Sequence, residues 1–455
     1  MKVKHLKFIL FSLVGIIFFL VPIPIGGDTR ILLSHATAFI ENNILSEFLI
    51  FTEITMWIIL IGTILFAFIK TGNEFLDGLF KTTPIMTILR ALGAFLYLMV
   101  LNNWFASYNW ALPILNPDTG GLLAGEGGLL TTLFITFFVG IIGIPFLTHF
   151  GAVEFLGILT EPFMYTLFRI PGFATVDAIT SFVGDGTLGL IVTDNQFQRG
   201  YYSRREAYLI ATNFSIVGIA FATAVAEELG LGHIFPLFYI TMFVTVLIIG
   251  FITARFPFKK FSDDEYYSGE STPDHEITVP NEKSRMEYAY DEAAEEADKT
   301  SLGEALIHAL KEIAGIYVSL LPVIMAVGTI SLIIIEYTPV FDIISIPLVY
   351  LYDLLGFPTE AAQLMGPASI AGLADMYLPT IFITQSASQA ARFLIGMLSF
   401  TQLIFMAETG MVLVDTEIGL NILDVIWVFV YRTLLSIPIL YGFTMLFIQL
   451  GILTM

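Results

Sequence analysis

Apolar stretches of about twenty residues recur along this chain, and they constrain it more than any other feature. A helix needs about 20 apolar residues to cross ~30 Å of hydrocarbon. Such stretches run over Leu6–Ile25, Phe48–Ile69, Pro84–Leu101, Leu129–Phe146, Thr212–Ala226, Ile234–Phe256, Glu312–Ile335, Ala390–Ala407 and Ile422–Leu450. Charged residues make up 13% of the 455 and mean hydropathy is +0.83; soluble chains carry about 25% charged residues. A disordered chain, a coiled coil and an ordinary cytosolic enzyme are excluded. The expected class is an all-α polytopic membrane protein with nine full spans. Leu6–Ile25 is longer than the usual apolar core of a signal peptide and is read as an uncleaved first span.

Metal and thiol chemistry find little support. The chain has no cysteine, and its six histidines lie far apart without metal-ligand spacing. No metal site and no catalytic residue are expected. The net charge of −20 is concentrated. Asp263–Asp298 holds thirteen acidic residues against Lys283 and Arg285, and no basic stripe exists elsewhere. Nucleic acid is therefore excluded as a partner, and the acidic stretch reads as a flexible solvated linker, with a helix expected over Glu292–Ala309.

Two apolar regions are too interrupted to span. Ala174–Asn195 (ATVDAITSFVGDGTLGLIVTDN) and Thr359–Gln385 (TEAAQLMGPASIAGLADMYLPTIFITQ) are each broken near the middle by Gly, Ser, Pro or Asp. Each half is too short to cross, as in a re-entrant helical hairpin, and irregular backbone at membrane depth needs cover from protein or a polar cavity. A short segment precedes each, Val153–Arg169 and Phe341–Leu355. A long helix with a polar interruption follows each, at Asn213-Phe214-Ser215 and at Ser399-Phe400-Thr401-Gln402. Interfacial helix, hairpin and broken helix thus occur twice at a near-constant offset.

Charge orients the chain by the positive-inside rule. Lys2, Lys4 and Lys7 place the N-terminus inside. Arg199, Arg204, Arg205, Arg255, Lys259 and Lys260 fall inside as well when Val153–Arg169 lies flat on the cytoplasmic face. Phe341–Leu355 then lies flat outside, the two repeats are inverted, the acidic linker is cytoplasmic and the C-terminus is outside. The expected divisions are 1–128 (N-terminal spans), 129–256 (first repeat and following span), 257–302 (acidic linker) and 303–455 (second repeat and C-terminal span).

The segments EPFMYTLFRIPGFATVDAITSFVGDGTLGLIVTD, REAYLIATNFSIVG and GFPTEAAQLMGPASIAGLADMYLPTIF resemble the Gate-domain (nucleoside-recognition) superfamily, most nearly its YjiH-like inner membrane proteins and more distantly the concentrative nucleoside transporters. The resemblance covers about Leu129 to Met455. It implies a secondary transporter in a bacterial inner membrane, carrying a small polar solute (nucleoside-like, amino acid or dipeptide, or organic acid) by alternating access. It implies no cofactor beyond Na⁺ or H⁺ as coupling ion. Lipid and a small molecule are the implied partners, with either a homo-oligomer or a second Gate-domain protein beside them.

Carried over residue by residue, the first hairpin tip offers Ser181, Gly184, Asp185 and Thr187, and its broken helix Asn213 and Ser215. The second tip offers Gly366, Pro367 and Ser369, with Asp375 beyond, and its broken helix Ser399, Thr401 and Gln402. Asp185, Asn213 and Ser215 are the implied ion ligands; Ser181, Asp185, Thr187, Asn213, Ser369, Asp375, Ser399, Thr401 and Gln402 would bind substrate. A clear counterpart of the nucleoside transporters' Glu-bearing tip is absent. Arg432, inside the last span, is expected to pair with a carboxylate. Asp177 and Asp194 read as helix caps, and Glu408 lies towards the end of its span.

The chain contains no Walker A sequence. An intramembrane aspartyl protease would pair Tyr352-Asp353 with Gly184-Asp185, but the Gly-x-Gly-Asp motif is incomplete and the two acids fall on opposite sides. A non-transporting structural or assembly component, or one subunit of a two-protein Gate complex, is the alternative.

Overall fold

The computed structural model describes residues 3–455 apart from 70–71, 126–127, 173, 176–177, 179–180, 182–185, 257–264, 268, 270–278, 281, 384–386 and 407–408, and leaves out the side chains of 186–188. The chain opens with α1 (Val3–Leu20), a short antiparallel hairpin of β1 (Pro22–Ile25) and β2 (Asp28–Ile31), and α2 (Leu32–Asn43). The sequence reading missed this hairpin. It turns at Gly26-Gly27, both at positive φ, which glycine adopts without a Cβ penalty. Next come α3 (Leu45–Phe68), α4 (Glu74–Phe80), α5 (Pro84–Leu101), α6 (Leu112–Leu115), α7 (Gly120–Leu123), α8 (Leu129–Gly143) and α9 (Pro145–Thr148).

Seven helical stretches among the described residues are long and apolar enough to cross a membrane. The other two expected crossings are helices broken in the middle. The chain is an all-α, multi-pass membrane protein. Small residues bring its helices together where lipid gives no hydrophobic drive between them. At Gly93 on α5 a Cβ would overlap the Pro322 carbonyl, so the two backbones meet directly.

α10 (Ala152–Phe163) continues into a π turn, Met164–Phe168. Pro162 inside α10 has no N–H for the Ile158 carbonyl, and the Arg285 side chain donates to that oxygen instead at 2.9 Å. Beyond the first hairpin region lie α11 (Gly186–Gln198), α12 (Arg204–Asn213), α13 (Ile219–Glu228) and α14 (Phe235–Arg255).

The acidic stretch departs from a solvated linker. Its second half is α15 (Arg285–Lys299), which packs on α1 and α10. Ala289, Ala293 and Ala297, four apart, are fully buried in that contact with Ala294. The helix starts at a capping box, Ser284 with Glu287, and a second box, Ser301 with Glu304, starts α16 (Leu302–Ser319). The helix expected over Glu292–Ala309 is therefore two helices meeting at Thr300-Ser301.

α17 (Leu321–Tyr337) continues the same crossing after Leu320, with Pro322 in its first turn. α18 (Val340–Leu354), α19 (Thr359–Ala371), α20 (Leu378–Phe382), α21 (Gln389–Gln402), α22 (Thr409–Asp415) and α23 (Ile422–Gln449) complete the described helices.

Candidate functional site

α12 begins at a capping box, Ser203 with Glu206, and its last seven residues, Ala207 to Asn213, are all buried. It stops at Asn213. Residues 214–218 are not helical, and the helix resumes as α13 at Ile219. The four last carbonyls of a helix have no partner within it, and here a side chain from another helix takes up one of them. Arg432 donates to Thr212 O at 2.6 Å, while the Asn213 amide donates to Leu209 O at 2.9 Å.

α21 stops in the same manner at Gln402, with Leu403 left-handed (φ 60°). Thr409, opening α22, staples this second break: its hydroxyl donates to Leu403 O at 3.0 Å and accepts from Phe405 N at 3.2 Å.

The second hairpin is α19, a turn and α20. The turn lies at Gly372–Tyr377 rather than at Gly366–Ser369, because α19 runs on through Gly366 and Pro367 to Ala371. A Cβ on Gly366 would press on Val349 of α18. That glycine serves helix contact and makes no turn.

The turn docks on the second break. Gln402 Nε2 donates to Ser369 O at 2.8 Å and to Thr433 Oγ1 at 3.0 Å, and Met406 N donates to Leu373 O at 2.8 Å. Ser369 Oγ itself bonds Met365 O and the Tyr352 hydroxyl, both at 2.7 Å.

The remaining expected residues divide clearly. Asn213 Oδ1 accepts from Arg432 Nη1 at 2.7 Å and from Thr253 Oγ1 at 3.1 Å. Thr401 offers its carbonyl to Arg432 Nε at 2.9 Å, while its hydroxyl turns back towards Leu398 O. Ser399 also turns back on its own helix, to Gly396 O at 2.9 Å, and joins neither group. Asp375 is buried and caps its own turn, accepting from Tyr377 N at 2.8 Å. Ser181 is buried against Gly189 of α11. Asp194 accepts from Gln198 and from Glu417 N, tying α11 to the segment before α23. Asp185, Gly184, Asp177 and Glu408 lie outside the described residues, as does the side chain of Thr187.

Arg432 departs from the expected ion pair. It is 1% exposed, and no carboxylate pairs with it among the described residues. Its three hydrogen-bond acceptors are two backbone carbonyls and one amide oxygen. One helix thereby ties together the ends of both broken helices.

The breaks open on a shared, partly open cavity of about 60 Å³. Ser215, Val217 and Gly218 line it from the first break, and Phe405 and Thr409 from the second. Met376 comes from the hairpin turn, Phe137 and Ile141 from α8, and Glu312 and Ser319 from α16. Small-molecule sites commonly have this make-up, mostly apolar walls with a few polar groups between them. Among the described residues, Ser215 is the one expected site residue that lines this space. Glu312, Ser319 and Thr409 were missed as site residues. Glu312 carried a legible signal, a lone acid at the start of the apolar run Glu312–Ile335.

Residues 130–232 match the family described as Gate, nucleoside recognition. A protein of Alkalihalophilus pseudofirmus, described as uncharacterized, is 35% identical over 446 residues, covering 96% of this chain and 93% of the relative. Among solved structures, CNTnw in an inward-facing substrate-bound state is 14% identical with a TM-score of 0.46, covering 96% of this chain and 98% of that one. A variant of CNTnw in an outward-facing state is 14% identical with a TM-score of 0.41, covering 97% and 90%.

Proposed function

The chain belongs to one family with its Alkalihalophilus pseudofirmus relative and carries a Gate, nucleoside-recognition domain, and from that premise we propose that it is a secondary transporter for a small polar solute. The observation that carries this reading is the cavity shared by the two helix breaks and the hairpin turn. Its mostly apolar walls would limit the water around a bound solute. Ser215, Glu312 and Ser319 supply a few polar contacts. Backbone that leaves the helix at membrane depth is expected where it lines such a cavity, and broken helices are a recurrent way to build a transporter site. The turn at Gly372–Tyr377 is the element placed to move, because it rests on the second break through a few hydrogen bonds. Transport would use the Na⁺ or H⁺ gradient across a bacterial inner membrane. The domain's description makes nucleosides the first substrates to try, followed by amino acids, dipeptides and organic acids.

The test is thermal melting of the purified protein against that panel. A ligand that binds only the folded state raises the melting temperature by mass action. The expected outcome is a saturable rise with one class, reduced in Ser215→Ala and Glu312→Gln, with uptake of the same compound into proteoliposomes. A folded protein that no compound stabilises, and that moves none of them, would favour a structural or assembly role beside a second membrane protein.

A further inference from the structure

The seat of Arg432 has the chemistry of a cation site. Thr212 O lies in the last turn of α12 and Thr401 O in the last turn of α21. Helix C-termini carry partial negative charge, and freed carbonyls with half-helix C-termini are what membrane proteins offer to coupling cations. Asn213 Oδ1 adds a third oxygen. All three lie within 2.9 Å of guanidinium nitrogens. The Nη2 atom of the same group is buried, with no hydrogen-bond partner among the described residues.

We propose that the Arg432 guanidinium is the fixed cation of the seat between the two helix breaks, occupying the place of a Na⁺ ion. Two arguments exclude a metal ion beside it. The oxygens a metal would need already accept from guanidinium N–H groups. A second positive charge within a few ångströms would also be repelled strongly in so poorly screened a place. Asn213 is then an anchor for Arg432 rather than an ion ligand. The functional consequence rests on the transporter reading above: uptake through this chain would draw nothing from Na⁺ at this seat, so a Na⁺-driven cycle would need its ion bound elsewhere.

The experiment is thermal melting of the full chain in detergent, with Na⁺ raised against choline at constant ionic strength. Wild type and Arg432→Lys are expected to melt at temperatures independent of the cation. Arg432→Ala is expected to melt lower in choline and to climb by several degrees as Na⁺ enters the vacated seat, reaching a plateau. A saturable Na⁺-specific rise in wild type that Asn213→Ala removes would overturn the proposal. A folded Arg432→Ala that ignores Na⁺ would overturn it too. Where that variant does not fold, the wild-type curves decide alone. None of these curves needs a substrate, so failure to find one in proteoliposomes counts against the transporter reading and leaves this result standing.

Discussion

Gly372 has no room for a side chain, because a Cβ there would overlap the Oε1 atom of Gln402. The same Gln402 holds the hairpin turn through Ser369 O. Gly372→Ala must push the amide aside or lift the turn. Overpacking of this kind costs about 1–3 kcal/mol, and the loss is expected as a lower melting temperature. Conversion of Gln402 to Leu should lower it as well, by removing the donor to Ser369 O. At this scale the sequence was only partly legible. Gly366-Pro367 reads like a turn, yet Gly366 lies in a helix pressed on Val349. A glycine that admits a neighbour and one that bends the chain look alike until the neighbour is known. Arg432 stood out as a charge in an apolar helix. Its partners did not, because backbone carbonyls leave no mark in a residue pattern.

α15 shows what an acidic composition conceals. Its buried alanines contribute little area each, and its dock is finished by polar contacts. Lys4 pairs with Glu295 and His5 with Asp291, both at 3.1 Å, and Lys283 reaches Asp291 at 2.7 Å. Arg285 pairs with Glu161. The Lys283 and His5 hydrogen bonds hold the Asp291 carboxyl below its usual value, and Lys4 does the same for Glu295. A carboxyl depressed on folding adds stability above its unfolded pKa and loses it as pH falls through the folded one. The dock is therefore expected to be full at neutral pH and to loosen below about pH 4, where ordinary carboxyls take up protons. Spin labels on α1 and α15 would read this as a broadened distance distribution, and a distance unchanged well below that pH would contradict it. The signal for the helix was present as two Ser-x-x-Glu boxes and alanines four apart, but the charge count masked it.

The positions of the crossings came straight from hydropathy, which depends only on the solvent and the length of a helix. The two interruptions were visible for the same reason. Where the interruptions meet was not visible, since it depends on contacts between residues more than two hundred positions apart, such as Arg432 with Thr212. The contacts of Lys4 and His5 with α15 put the N-terminus and that helix on one side of the membrane. We expect that side to be the cytoplasm. In this naturally cysteine-free chain, a single cysteine at Lys283 should be shielded from an impermeant thiol reagent in intact cells, and one at Asp118 should react. The opposite pattern would reverse the orientation. Arg432 also imposes an order on synthesis. Both helices it ties leave the ribosome before α23 does, so their ends must wait in the translocon or the lipid with bare carbonyls. Assembly of the core can finish only once α23 has been inserted, and a chain stalled short of it would display the very defect that membrane quality control removes.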